Sequence, residues 1–138
     1  MFKKSSTKNE ALVVCLSGDL GTGKTAFTKA IAKHLNIKNK VNSPTFVIIK
    51  NYPIPEQARY GAGSLENKQY QFLFHIDAYR LKNEKELLNL GWKEIIEDRG
   101  NIVFIEWPEN VSGVIPSNAK FVYISHTKDG YRNFKLVL

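Results

Sequence analysis

Eight consecutive residues constrain the fold of this chain more than any others: Gly18-Asp19-Leu20-Gly21-Thr22-Gly23-Lys24-Thr25. Before them, Leu12 to Ser17 is a short, nearly continuous apolar run, which suits a strand buried on both faces of a sheet. After them, Ala26, Phe27, Ala30, Ile31 and Leu35 recur at helical spacing, so Thr25 to about Leu35 is expected to form an amphipathic helix. In a strand, glycine-rich turn and helix joined this way, glycines let the backbone curl until successive amides point inward at an anion. The first turn of the helix adds its unpaired N–H groups and its dipole to the same concavity.

Glycine, four residues, glycine, lysine and a hydroxyl residue is the P-loop pattern, and here it stands in the required context. Lys24 is placed to reach the β- and γ-phosphates of a nucleotide, and the Thr25 hydroxyl to ligate magnesium. Gly18, Asp19, Leu20, Gly21, Thr22, Gly23, Lys24, Thr25 and Ala26 are therefore the candidate nucleotide-contacting residues.

The rest of the chain fits an α/β fold: a P-loop NTPase-like central sheet, mostly parallel with antiparallel additions, flanked by helices. Residues 1–10 are polar and read as a flexible N-terminal segment, and 11–138 as one P-loop ATPase domain. Val41 to Pro44 reads as a loop, Thr45 to Tyr52 as a second strand, and Pro53 to Lys68 as a long, mobile hairpin connection. Tyr70 to Ile76 forms the next strand, ending at Asp77. Helical stretches are expected at Glu84 to Leu90, stopped by Gly91, and at Trp92 to Glu97. Ile102 to Trp107 is an apolar strand ended by Pro108, and Phe121 to His126 with Tyr131 to Leu138 form a closing hairpin around Lys128-Asp129-Gly130.

Two strand ends supply acids. Phe72-Leu73-Phe74-His75-Ile76 delivers Asp77, and Ile102-Val103-Phe104-Ile105 delivers Glu106, at the carboxyl ends where parallel sheets place ligands. Lys24, Asp77 and Glu106 are the candidate catalytic residues, and Thr25 with Glu106 the candidate metal residues. The sequence does not divide metal coordination from water activation between the two acids. Alternation places His75 on the same strand face as Asp77, where a packed histidine is the commoner role. Arg80 suits either a phosphate charge or an ion pair with Glu84.

Composition narrows the classes. A hydrophobic fraction of 43% supports a core, and the single Cys15 excludes an intramolecular disulfide and a cysteine metal cluster. Cys15 is expected to be a small buried hydrophobe. No apolar run is long enough to cross a bilayer, and no apolar signal segment follows Lys3 and Lys4, so a cytoplasmic protein without membrane partners is expected. The net charge of +7 favours a polyanionic partner.

Taken together, GDLGTGKT, SPTF (Ser43 to Phe46), HIDAYRL (His75 to Leu81), a helix ending in ELLNLG, and FIEWPE (Phe104 to Glu109) resemble the TsaE family from about Val13 to Glu109. That resemblance implies an ATPase component of bacterial tRNA threonylcarbamoyladenosine biosynthesis, with ATP and Mg2+ as cofactors. It also implies TsaB- and TsaD-type partners, with tRNA engaged through the complex. It makes Thr45 a switch-like residue near the γ-phosphate, Asp77 and Glu106 the functional acids, and Trp107 the tryptophan beside the catalytic glutamate. The chain departs from the family pattern in having about ten residues before its first strand, which bears on adenine contacts. The stretch from Tyr52 to His75 is also longer, leaving room for altered partner contacts.

Three other functions compete. A GTPase-type switch needs an Asn/Thr-Lys-x-Asp guanine motif, and Thr127-Lys128-Asp129-Gly130 has its Asp one position early. A small-molecule kinase needs an acceptor site and a lid, which nothing marks. A basic tRNA-binding module draws on Lys29, Lys33 and Lys40, which can share a helix-proximal face, but the chain lacks the interleaved aromatics that stack on single-stranded bases.

Overall fold

A computed structural model describes residues 10–19, 21–42, 47–56 and 70–137. Six strands form one sheet in the order β2-β3-β4-β1-β5-β6, where β1 is Leu12–Ser17, β2 Ile49–Pro53, β3 Phe72–Asp77, β4 Asn101–Glu106, β5 Lys120–His126 and β6 Arg132–Val137. The four inner strands run parallel, and β2 and β6 are antiparallel edges. β1 lies between β4 and β5: the chain leaves its carboxyl end toward β2 on one side, whereas β4 connects across it to β5 on the other, and a crevice opens where these directions part.

Helix α1 (Lys24–His34) covers one face of the sheet; α2 (Glu84–Asn89), α3 (Trp92–Ile96) and a 3-10 segment (Pro108–Val114) cover the other. Each face has its own core. Leu16, Leu73, Phe104 and Val122 pack with Ala32 of α1, whereas Val13, Cys15, Ile76, Val103 and Ile105 pack with Leu87 of α2 and Trp92 of α3. Alternation along β1, β3 and β4 accounts for the division, since successive side chains face opposite layers. Cys15 is fully buried, and burial pushes its thiol up to about 12. It packs as a small hydrophobe.

Several boundaries move, each for a physical reason. β2 begins at Ile49, because Ile48 adopts a positive φ of 68° just before it. It extends through Pro53, which an edge strand tolerates since one side of its backbone needs no partner. The face α1 buries is Lys24, Thr28 and Ala32, with Phe27, Ile31 and Leu35 partly covered, while Ala26 and Ala30 are exposed. Once Lys24 turns inward, residues four and eight positions later follow it onto the sheet. Gly91, with φ 95°, ends α2 and opens α3 in the left-handed conformation that a β-carbon disfavours. The 3-10 turn after Pro108 was not legible in the pattern. The flexible segment and most of the long connection fall on 1–9 and 57–69, outside the described residues.

Candidate functional site

Strand register brings distant residues together. Asp77 pairs with Glu106 across β3 and β4, and Leu16 pairs with the same Glu106 across β1 and β4. Both acids therefore end their strands beside the turn that starts at Gly18, and both are buried. Glu106 is the hub. Its Oε2 accepts a hydrogen bond from Thr25 Oγ1 at 2.8 Å and lies 2.7 Å from His75 Nε2. A carboxylate only accepts, so an ionised Glu106 makes Nε2 the donor and leaves His75 Nδ1 buried without a partner among the described residues. The Asp77 carboxylate accepts from the Tyr79 amide at 3.0 Å, which holds the turn after β3.

Lys24 is buried at 4% exposure. Its ammonium donates to the Gly18 carbonyl and lies 3.6 Å from the centroid of the Trp107 ring. Desolvation pushes its pKa down, against the opposing pull of Glu106, Glu109, Asp77 and Asp19. Trp107 is held in the left-handed region (φ 59°, ψ 49°), an uncommon conformation for so large a residue, and its ring also meets Tyr79 at 5.1 Å. That backbone turn, immediately before Pro108 at the start of the 3-10 segment, carries the indole back over the lysine.

The loop itself depends on glycine at two points. A β-carbon at Gly18 would lie 2.4 Å from the Ile124 carbonyl oxygen. One at Gly23, where φ is 104°, would meet the Arg132 guanidinium at 3.1 Å. The second contact reveals what sequence reading missed. The β5–β6 hairpin bends over the loop, so that Arg132 lies against Gly23 and His126 Nε2 donates to the Gly21 carbonyl at 2.8 Å. Neither residue sits in a motif, and only the hairpin turn at Thr127–Gly130, one hundred residues further along the chain, brings them there.

The sequence-derived candidates Gly18, Asp19, Gly21, Thr22, Gly23, Lys24, Thr25, Ala26, Asp77 and Glu106 thus gather at one end of the sheet. His75 belongs to the same cluster through Glu106, whereas Arg80 stands exposed in the turn after β3 and Glu84 accepts from the Gly113 amide. Leu20 and Thr45 lie outside the described residues. The Thr25 hydroxyl and the two carboxylates offer only hard oxygen donors, the set that suits magnesium held partly by phosphates and water. No cluster of three His, Cys, Asp or Glu side chains poised for a metal occurs among the described residues, nor any helix long and apolar enough to cross a membrane.

A mostly parallel sheet with a glycine-built loop between a central strand and a covering helix places the chain in the P-loop class of α/β proteins. Within that class, residues 2–134 match the family model of the threonylcarbamoyl adenosine biosynthesis protein TsaE. The chain belongs to the TsaE family. It is 36% identical over 120 residues to the tRNA threonylcarbamoyladenosine biosynthesis protein TsaE of Bacillus subtilis, covering 87% of this chain and 65% of that relative. It is 31% identical over 128 residues to the Haemophilus influenzae protein of the same name, covering 93% and 71%. The crystal structure of YdiB from Bacillus subtilis aligns with a TM-score of 0.66 at 29% identity, covering 92% of this chain and 68% of that one. The chain thus spans about two thirds of the length of these relatives.

Proposed function

We propose that this protein is a magnesium-dependent ATP-hydrolysing accessory subunit of the cytoplasmic machinery that makes threonylcarbamoyladenosine in tRNA, working with TsaB- and TsaD-type proteins. The observation that carries the proposal is the convergence of Lys24, Thr25, Asp77 and Glu106 on one glycine-built loop. In this reading the amides from Gly21 to Thr25 and the dipole of α1 bind the α- and β-phosphates. Lys24 leaves the Gly18 carbonyl to donate to the β–γ bridging region, where charge builds as the bond breaks. Thr25 and Glu106 would hold the metal, which when bound would neutralise charge on the phosphate oxygens. Water attacks the γ-phosphorus as the bond to the β–γ bridging oxygen breaks. One of the two acids, Asp77 or Glu106, receives the water's proton, and ADP and inorganic phosphate leave. The Trp107 ring over the Lys24 ammonium shields it from water, and the family resemblance assigns the γ-phosphate side to Thr45 of the SPTF segment.

Steady-state ATP hydrolysis, measured alone and then with TsaB- and TsaD-type proteins and tRNA, tests the proposal. Slow turnover alone that changes on adding the partners supports it. Fast turnover unaffected by every addition, with a phosphorylated small acceptor as product, refutes it in favour of a kinase.

A further inference from the structure

The end of α1 remote from the loop carries a second feature. Asn36, at φ 60°, closes the helix: its amide donates to the Lys33 carbonyl and the Ile37 amide to the Ala32 carbonyl, both at 3.0 Å. This is the Schellman arrangement, in which a residue able to take a left-handed conformation folds the chain back beneath the last turn. Ile37 and Val41 are buried against the core with Ala32, so the returning segment is anchored. The fold-back forms a groove of about 400 Å³ lined by Lys29, Lys33, Lys38, Lys40, Asn36 and Asn39, all exposed.

Among the described residues nothing neutralises these four lysines. Between Asp19 and Glu56 the sequence holds six lysines and no acidic residue. Among the described residues none of the four forms an ion pair, in contrast to Lys93 with Glu97 on α3. Lys29 and Lys33 are like charges one helical turn apart, an arrangement that destabilises a helix. Two cations in the last turn would satisfy its dipole, and four exceed that need. The groove offers no exposed large hydrophobic side chain of the kind that inserts into a membrane; these lie elsewhere, as at Leu88, Tyr131 and Leu136. It has no aromatic platform for bases either. Ammonium groups with interspersed side-chain amides are the donors that bind phosphate oxygens and ribose hydroxyls.

We propose that this groove is a docking surface for the sugar-phosphate backbone of RNA, engaged through Lys29, Lys33, Lys38 and Lys40 and independent of base sequence. The choice of tRNA as the RNA rests on the function proposed above. The groove is separated from the start of α1 by roughly the 16 Å length of an 11-residue helix, so the two sites can be perturbed separately.

The test is binding of an unmodified tRNA transcript to the full chain across 50–200 mM salt, with basal ATP hydrolysis measured in parallel. Four phosphate contacts give a slope of log K on log salt of about −3, or about 60-fold weaker binding across that range. The variant K29Q/K33Q/K38Q/K40Q should flatten the slope and weaken binding at 50 mM salt by roughly 10². K38Q/K40Q, which leaves the helix untouched, should remove about half the slope. The control K85Q/K93Q should bind as wild type, and basal hydrolysis should be unchanged in all three. Unchanged affinity and slope in the fourfold variant, or an equal loss in the control, would overturn the groove. So would loss of binding to phosphatidylserine vesicles in the fourfold variant with tRNA binding intact. Absence of ATP hydrolysis in the wild type would sink the proposed function while leaving the tRNA titration a valid test of the groove.

Discussion

Replacing Glu106 separates the architecture of the site from its chemistry. Alanine at this position removes the oxygen that accepts from Thr25 and His75 and leaves both donors without it. An orphaned buried donor costs about 1–3 kcal/mol. His75, with no exposure, bears the larger share, and the half-buried Thr25 the smaller. Relief of burying a carboxylate offsets part of this. The net cost is about 2–4 kcal/mol. A chain of 138 residues has an unfolding entropy near 0.3 kcal/mol per degree, so Glu106→Ala should lower Tm by about 7–14 °C. Glu106→Gln keeps an acceptor oxygen of the same reach and should melt within about 3 °C of wild type. Its ATP turnover should nonetheless fall roughly 10²–10³-fold, because the carboxylate charge is gone. Calorimetric melting and a phosphate-release assay on both variants decide the matter. Wild-type turnover in Glu106→Gln would remove the acid from the chemistry. A melting temperature for Glu106→Ala within 3 °C of wild type would show that the hub does not hold the site together.

Lys24→Ala should reduce turnover by roughly 10²–10³, and wild-type rates would end the P-loop assignment of function. Because folding lowers the Lys24 pKa, its charged form is a net burden that is relieved as pH rises through the folded value. Lys24→Met should therefore melt no lower than wild type at pH 7, with the gap closing toward alkaline pH; a drop of more than about 5 °C contradicts this. Asp77→Ala and Glu106→Ala should each cost far more in ATP hydrolysis than Glu109→Ala, since both acids are buried and Glu109 is exposed; lost turnover in Glu109→Ala with Glu106→Ala intact would move the acting acid beyond the end of β4. Arg132→Ala should weaken ATP binding about tenfold by calorimetric titration, by removing a guanidinium from Gly23, and unchanged affinity would reduce Arg132 to a cover for the loop.

The sequence by itself determined whatever depends on neighbours along the chain. The apolar run at Leu12 to Ser17, the glycines that follow it and the periodicity after Lys24 sufficed to place a strand, a loop and a helix in order. The acids at Asp77 and Glu106 were legible because each terminates an apolar strand. Alternation likewise placed His75 with Asp77, but not the 2.7 Å approach to Glu106 that ties it to the site. That approach needs the parallel register of β3 on β4, which is set by packing across the whole sheet. The same holds for the left-handed turn at Trp107 that brings the indole over Lys24, and for the buried face of α1, which shifts because Lys24 must point inward. Arg132 and His126 reach the loop only because β5 pairs with β1 and the hairpin folds back, contacts more than one hundred residues apart in sequence. Local periodicity carries no information about such pairings; only the closure of the sheet around β1 decides which distant side chains share the crevice.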